Sequence, residues 1–119
     1  MGYVLAMVIF NLLIPVLMII FGRIMYKHAP KSINGVYGYR TSMSMKNEDT
    51  WKFAHDYCGR LWYKIGLIML IPSVLVQLPF VKSSTDTIGI MTVVLETVQI
   101  CVMIASIFPT EKALRKTFD

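Results

Sequence analysis

The chain has 119 residues, of which 55% are hydrophobic and only 16% are charged. Soluble domains average about 45–50% apolar and about 25% charged residues, so this composition argues against a disordered chain, a coiled coil or an ordinary soluble enzyme. Twelve basic and seven acidic residues give a net charge of +5. Since the basic side chains cluster beside hydrophobic runs, this charge favours contact with anionic lipid over contact with nucleic acid.

Three long hydrophobic runs predict an all-α membrane protein that forms a single domain over residues 1–119. The runs cover residues 3–21, 61–80 and 87–108. The first has 19 residues, or about 28 Å of helix at roughly 1.5 Å per residue, which is enough to cross a hydrocarbon core of about 30 Å. A cleaved signal peptide is the alternative for this run, but no basic side chain precedes it and no small-residue cleavage site follows it.

Polar and helix-ending residues mark the limits of the second and third runs. Residues 81–86 are predicted to form a short polar hairpin turn between them. Pro72 lies inside the second run, where a membrane helix accepts proline. Pro109 is expected to end the third run. The tail that follows is predicted to be a short helix with Thr110 as its N-cap and Glu111 in its first turn.

The basic residues are distributed unequally between the two ends of the spans. Eight lie within residues 23–64, three lie within residues 112–116, and only Lys82 lies in the hairpin turn. Short loops that are rich in Lys and Arg stay in the cytoplasm. We therefore expect the N-terminus outside the cell and the 22–60 loop and the C-terminus in the cytoplasm, with membrane lipid as a partner.

The chain offers few groups for metal or cofactor chemistry. Cys58 and Cys101 are 43 positions apart and form no Cys/His ligand spacing, so neither a zinc site nor a disulfide framework is expected. Asn34-Gly35 and Gly38 have the turn chemistry of a phosphate-binding loop but lack its glycine spacing. We therefore expect no metal, no cofactor and no enzymatic activity.

The loop between the first two spans divides into an irregular part, residues 29–45, and a helical part, residues 47–59. Asn47 can cap this helix, and Trp51 and Cys58 then fall on one face at helical spacing. The pattern predicts an amphipathic helix that lies in the inner membrane interface before the chain enters the second span. Its tryptophan would sit at headgroup depth.

The same loop carries a set of residues that resembles the signature of the SdpI family. The matching residues are Asn34-Gly35, Gly38-Tyr39-Arg40-Thr41, Asn47-Glu48, Trp51, His55 and Gly59. Members of this family are small bacterial multi-pass membrane proteins, named for an immunity protein against a secreted toxin peptide. One departure is Ser42-Met43, where family members often carry an apolar or a Pro-Trp pair.

The resemblance implies an immunity or sensor protein that protects against a membrane-active peptide toxin by binding rather than by catalysis. It also implies a peptide toxin and a cytoplasmic regulator as partners, without direct contact to nucleic acid. The candidates for binding a ligand or partner are Asn34, Gly38, Arg40, Thr41, Trp51 and His55.

Each of these candidates also has a structural interpretation. Arg40 would bind a lipid phosphate or pair with Glu48 or Asp56, rather than bind a ligand carboxylate. Trp51 would be an interfacial anchor, and His55 a satisfied structural side chain rather than a pH sensor. The motif as a whole would then fold the loop back onto the cytoplasmic end of the bundle. The glycines that would permit its tight turns are Gly35, Gly38 and Gly59.

Three polar residues inside the spans, Asn11, Glu96 and Gln99, are candidates for a second site. Thr92, Glu96 and Gln99 form one stripe of the third helix. Asn11 and Glu96 lie at a similar depth, about 12 Å from the outer face, where a charge costs on the order of 3 kcal/mol. We expect these two to face each other or to share a polar pocket. Such a pocket would serve helix contacts within or between protomers of a homo-oligomer, or bind a toxin or a proton.

Two other functions are compatible with the sequence. The first is a small oligomeric transporter or enzyme that uses Glu96, His55 and Arg40 as its working groups. The second is a structural membrane subunit whose surfaces serve only assembly.

Overall fold

Four α-helices form the part of the chain that the computed structural model describes, which is residues 2–34 and 38–118. They are α1 (Gly2–Lys27), α2 (Glu48–Gln77), α3 (Thr85–Ala105) and α4 (Ile107–Phe118), and a 3₁₀ turn (Leu78–Phe80) follows α2. These residues contain no β-strand. Three helical stretches are long and apolar enough to cross a membrane. The predicted all-α fold with three membrane spans is therefore confirmed.

The second helix differs from its prediction at its N-terminal end. Its cap is the predicted one, because the Asn47 side chain accepts the Thr50 N–H at 2.9 Å, while the Thr50 hydroxyl accepts the Asn47 N–H at 3.1 Å. The predicted interfacial helix over residues 47–59, however, is not a separate element. It forms the first three turns of α2, which has 30 residues and a length of about 45 Å. A helix that is continuous with a membrane span cannot also lie flat in the interface, so this part of the prediction is wrong.

The first two helices cross at three glycines. A Cβ atom on Gly59 would lie 2.6 Å from the Gly22 carbonyl oxygen, and one on Gly22 would lie 2.7 Å from the Gly59 carbonyl oxygen. A Cβ on Gly66 would lie 2.8 Å from the Pro15 carbonyl oxygen. Small residues at such positions allow helix backbones to approach closely within a membrane. Gly59 therefore serves a helix crossing, and its predicted role in a tight turn is wrong.

The third span and the tail also end differently from their predictions. α3 ends at Ala105 and α4 begins at Ile107. Pro109 lies in the first turn of α4, where the N–H that proline lacks would have no helical partner. Thr110 is not the N-cap, because it lies inside α4 and its hydroxyl donates to the Ser106 carbonyl at 3.0 Å.

Two hydrogen bonds show which segments share an end of the bundle. The Tyr3 hydroxyl donates to the Thr85 carbonyl oxygen at 3.2 Å, which joins the N-terminus to the start of α3. At the other end, the Trp62 indole donates to the Ser106 hydroxyl at 2.7 Å. We call the end with residues 81–84 the hairpin end and the end with loop 28–47 and α4 the loop end. The molecule is 52 Å long, so it extends beyond a hydrocarbon core of about 30 Å.

Candidate functional site

Three side chains at the start of α2 hold the 28–47 loop against the helix. The Trp51 indole donates to the Pro30 carbonyl oxygen at 2.8 Å. The Thr50 hydroxyl donates to the Ser44 carbonyl oxygen at 3.0 Å. Trp51 and Thr50 are both almost completely buried. The predicted role of Trp51 as an interfacial anchor is therefore wrong, because its ring is covered by the protein's own loop.

His55 makes the third of these contacts, and its two partners define its protonation state. Its Nε2 atom lies 2.9 Å from the Tyr39 N–H, which can only donate. Its Nδ1 atom lies 2.8 Å from the Trp51 carbonyl oxygen, which can only accept. The ring is therefore neutral with the proton on Nδ1. Burial of the imidazole, which precedes the membrane-spanning part of α2, lowers its pKa from the ordinary value in agreement with this geometry.

Gly38 allows the loop to approach the histidine closely. Its φ angle is +110°, a conformation that L side chains rarely adopt. A Cβ atom at this position would lie 2.6 Å from His55 Nε2. The expected close backbone approach at Gly38 is thus present, whereas Gly35 lies outside the described residues.

Thr41 belongs to a compact turn that leads from Tyr39 into α2. Its N–H donates to the Ser44 hydroxyl at 2.8 Å, and the Ser44 N–H donates to the Thr41 hydroxyl at 3.1 Å. The Ser44 hydroxyl also donates to the Tyr39 carbonyl oxygen at 2.9 Å. The N–H and the hydroxyl of Thr41 therefore both take part in forming the turn, and its carbonyl oxygen accepts the Met45 N–H there.

Arg40 is an exposed member of the motif. Its Nε atom donates to the Asn34 carbonyl oxygen at 3.2 Å, and the Asn34 amide donates to the Ser32 carbonyl oxygen. Asp56, one of the acids considered for Arg40, instead pairs with Arg60 at 2.9 Å. Among the described residues Arg40 forms no salt bridge, so its charge faces the surroundings of the loop end.

A small hydrophobic core joins the loop, α2 and α4 outside the span. It consists of Tyr39, Ala54, Cys58 and Leu114. Burial raises the pKa of the Tyr39 phenol, and the nearby Glu111 carboxylate raises it further. The opposite face of α4 carries exposed basic side chains, which are Lys112, Arg115 and Lys116. The loop end is thus a packed unit with a basic surface.

A second group of polar side chains lies between the three spans. It comprises Asn11, Ser73, Gln77, Thr92 and Gln99, each at most 7% exposed, and we call it the polar cluster. The Asn11 amide donates to Gln77 Oε1 and to Thr92 Oγ1, both at 3.1 Å. The Gln99 amide donates to the Asn11 carbonyl oxygen at 2.8 Å and to the Ser73 hydroxyl at 2.9 Å. One residue or more from each span therefore contributes to this network.

The polar cluster corresponds only in part to the predicted intramembrane site. The structure brings Asn11 and Gln99 together, but the amide of Asn11 binds Thr92 and Gln77 rather than Glu96. α1 and α3 both begin at the hairpin end, where Tyr3 binds Thr85 rather than lying level with Ile88. The partner of Asn11 therefore depends on the axial position of α1 against α3, which residue spacing within each helix does not give. The sequence analysis missed the α2 members, Ser73 and Gln77, although their spacing of four places them on one helix face.

A groove of about 590 Å³ opens between α2 and α3 beside this cluster, in the half of the bundle nearer the hairpin end. Its apolar walls include Met69, Pro72, Val76, Phe80, Val94 and Val98. Ser73 and Gln99, both buried, also line it. Val94 and Val98 are 59% and 53% exposed, so the groove is open sideways toward the hydrocarbon region.

A comparison with known families identifies the signature in the loop. The model of the SdpI/YfhL protein family matches residues 31–110, two thirds of the chain. The chain belongs to this family. The matched region begins in the loop, contains Arg40, Trp51 and His55, and continues through α2 and α3. Membership of the SdpI/YfhL family suggests an immunity-type membrane protein.

A curated relative supports the assignment over a shorter region. The chain is 45% identical over 53 residues to "Uncharacterized protein YfhL" of Bacillus subtilis (strain 168). This region covers 44% of the chain and 48% of the relative, so the chain matches about half the length of that protein. No solved structure matches the chain.

Proposed function

We propose that this SdpI/YfhL family member protects its cell against a membrane-active peptide toxin by binding the toxin within the membrane. Family membership supports the immunity-type role. The groove between α2 and α3 is the observation that carries the binding role, because it is apolar, laterally open and large enough for several side chains. A hydrophobic peptide that has entered the bilayer could reach such a groove without passing through water.

The two ends of the bundle differ in charge in a way that supports one orientation. The loop end carries eleven of the twelve basic residues, whereas Lys82 is alone near the hairpin end. The positive-inside rule favours a cytoplasmic loop end and an outward hairpin end. The groove then lies in the outer half of the membrane, which a toxin arriving from outside meets first.

The loop end supplies a surface for a second interaction in this proposal. Trp51, His55 and Thr50 hold the loop to α2, and Thr41 forms the turn that leads into this helix. Arg40 presents its charge on the outside. A cytoplasmic regulator with an acidic surface would fit this arrangement. Asn34 and Gly38 would then act by shaping the backbone that carries Arg40.

The groove is tested by filling it while leaving the rest of α3 unchanged. Val98→Trp places an indole in the groove, and Ile100→Trp is the matched control on an exposed α3 position that does not line it. Cells that lack the gene should become sensitive to a membrane-active peptide toxin. The wild type and I100W should restore protection, whereas V98W should not, at equal amounts of protein in the membrane.

Two outcomes would count against the proposal. Full protection by V98W would show that the groove is not the binding surface. Unchanged toxin sensitivity after deletion, measured across a panel of membrane-active bacterial peptides, would remove the immunity role itself.

A further inference from the structure

Glu96 is the one charged side chain within the hydrophobic part of the three spans. α1 carries no charged residue between Gly2 and Arg23, and the chain carries none between Lys64 and Lys82. In α3 and the start of α4, Glu96 stands alone between Asp86 and Glu111. No basic side chain is therefore available at its depth to neutralise a carboxylate.

One carboxyl oxygen of Glu96 is buried without a hydrogen-bond donor in the described part of the chain. Its Oε2 atom is buried and has no hydrogen-bond partner among the described residues. The same holds for two oxygens of the polar cluster, Asn11 Oδ1 and Gln99 Oε1. Both of those side chains are fully buried. Ionised carboxylate and amide oxygens only accept hydrogen bonds, so these three atoms cannot satisfy one another, and each unsatisfied buried acceptor costs about 1–3 kcal/mol.

We propose that Glu96 binds a proton in the folded protein, so that the membrane core contains a carboxylic acid that releases and rebinds this proton as conditions change. The added O–H group supplies a donor on the same helix stripe as Thr92 and Gln99. Protonation also removes the charge, which costs on the order of 3 kcal/mol at this depth. The site would exist whether or not the protein binds a toxin.

A metal cation is a poorer match to this environment than a proton. All three amide side chains of the polar cluster, Asn11, Gln77 and Gln99, direct N–H donors into it. Sites for hard cations present oxygen atoms alone. The mixture of donors and acceptors instead suits a neutral acid, which can both donate and accept.

Titratable groups on the surrounding helices lie away from Glu96 along the chain. On α1 they are Tyr3 at the hairpin end and Arg23 at the other, and on α2 the nearest is Lys64. On α3 itself, Cys101 follows by five positions and is exposed. If a carboxyl group inside the spans reacts with a reagent in a pH-dependent way, that group is therefore Glu96.

The test uses the full chain in lipid vesicles and dicyclohexylcarbodiimide, a lipid-soluble reagent for protonated carboxyl groups. The acid transfers its proton to a carbodiimide nitrogen, and its oxygen adds to the central carbon, so nothing leaves. Mass spectrometry should locate the adduct on Glu96 and find none in Glu96→Gln. Above the pH of half-protonation, the labelling rate should fall about tenfold per pH unit. A water-soluble carbodiimide should label exposed Asp86 in preference to Glu96.

Infrared spectroscopy gives a second measurement that does not depend on access of a reagent. The wild type should show the carbonyl band of a protonated carboxylic acid at neutral pH, and Glu96→Gln should lack it. Absence of this band in the wild type would overturn the proposal. Labelling of Glu96 that sodium ions slow at constant pH would overturn it as well, in favour of a cation site.

Discussion

The His55 side chain joins α2 to the 28–47 loop through both of its ring nitrogens. Its ring nitrogens bind the carbonyl of Trp51 in its own helix and the amide of Tyr39 in the loop. The helical contact could be predicted from the sequence, because His55 follows Trp51 by four positions. The contact to Tyr39 could not, since a loop without a regular period does not show which of its amides faces a helix.

Acidification should loosen the loop end through this histidine. Burial lowers the folded-state pKa of His55 from its ordinary value of 6.5, so the unfolded chain takes up the proton first as the pH falls. The contribution of neutral His55 to stability is present above pH 6.5 and is lost progressively below it, because an imidazolium cannot accept the Tyr39 N–H. The free energy of unfolding in detergent, measured from pH 8 to pH 5, should therefore decrease.

The matched variant for this measurement is His55→Gln, which keeps an acceptor but cannot titrate. It should be less stable than the wild type at pH 8 and should show a weaker decrease toward pH 5. The two proteins are otherwise identical, so the difference between their pH dependences belongs to position 55. If the free energy of unfolding decreased equally in the two proteins, the decrease would come from a group other than His55, and the prediction would be wrong.

At the scale of elements, the continuity of α2 distinguishes the fold from its prediction. Composition suggested two segments, an amphipathic one over residues 47–59 and an apolar one over residues 61–80. In the structure one helix continues through both segments. Gly59, which lies between them, faces α1 at the crossing. The amino-acid composition of a segment indicates whether lipid or water surrounds it. Whether the helix continues from one segment to the next depends on the packing around the residues that join them.

Because the helices cross closely at Gly59, adding a single methyl group there should lower the stability of the protein markedly. In Gly59→Ala the new Cβ would meet two backbone atoms at 2.6 Å, the Gly22 carbonyl oxygen and the Tyr26 nitrogen. Backbone atoms cannot move aside as flexible side chains do, so we expect a loss of about 1–3 kcal/mol in the free energy of unfolding. Gly89→Ala is the control, because its Cβ would only contact the Tyr3 hydroxyl at 3.6 Å. Equal midpoints in detergent unfolding would contradict the role of the crossing.

At the scale of the whole molecule, charge and shape divide the bundle into two regions. The hairpin end contains the apolar groove and carries few charges, whereas the loop end is a packed extension with a basic surface. A length of 52 Å leaves this extension beyond a hydrocarbon core of about 30 Å. The two regions thus meet different solvents.

The orientation can be measured with two single-cysteine proteins in which Cys58 and Cys101 are replaced by serine. Lys46→Cys reports the loop end and Ser83→Cys the hairpin end. A maleimide that cannot cross lipid should label S83C on intact cells and K46C only after the membrane is opened. Labelling of both positions on intact cells would contradict the three-span topology, and labelling of K46C alone would reverse the orientation.

Residue types and their spacing were enough to predict the number of spans and the cap of α2, and they indicated the family. These properties depend on residues that are close together in the sequence, so they do not require contacts between distant parts of the chain. Tertiary structure alone decided that Trp51 is buried beneath a loop and that Asn11 binds Thr92 and Gln77. Each of these contacts joins residues 21 to 81 positions apart, and helix rotation and packing select the partner from many residues at the same depth.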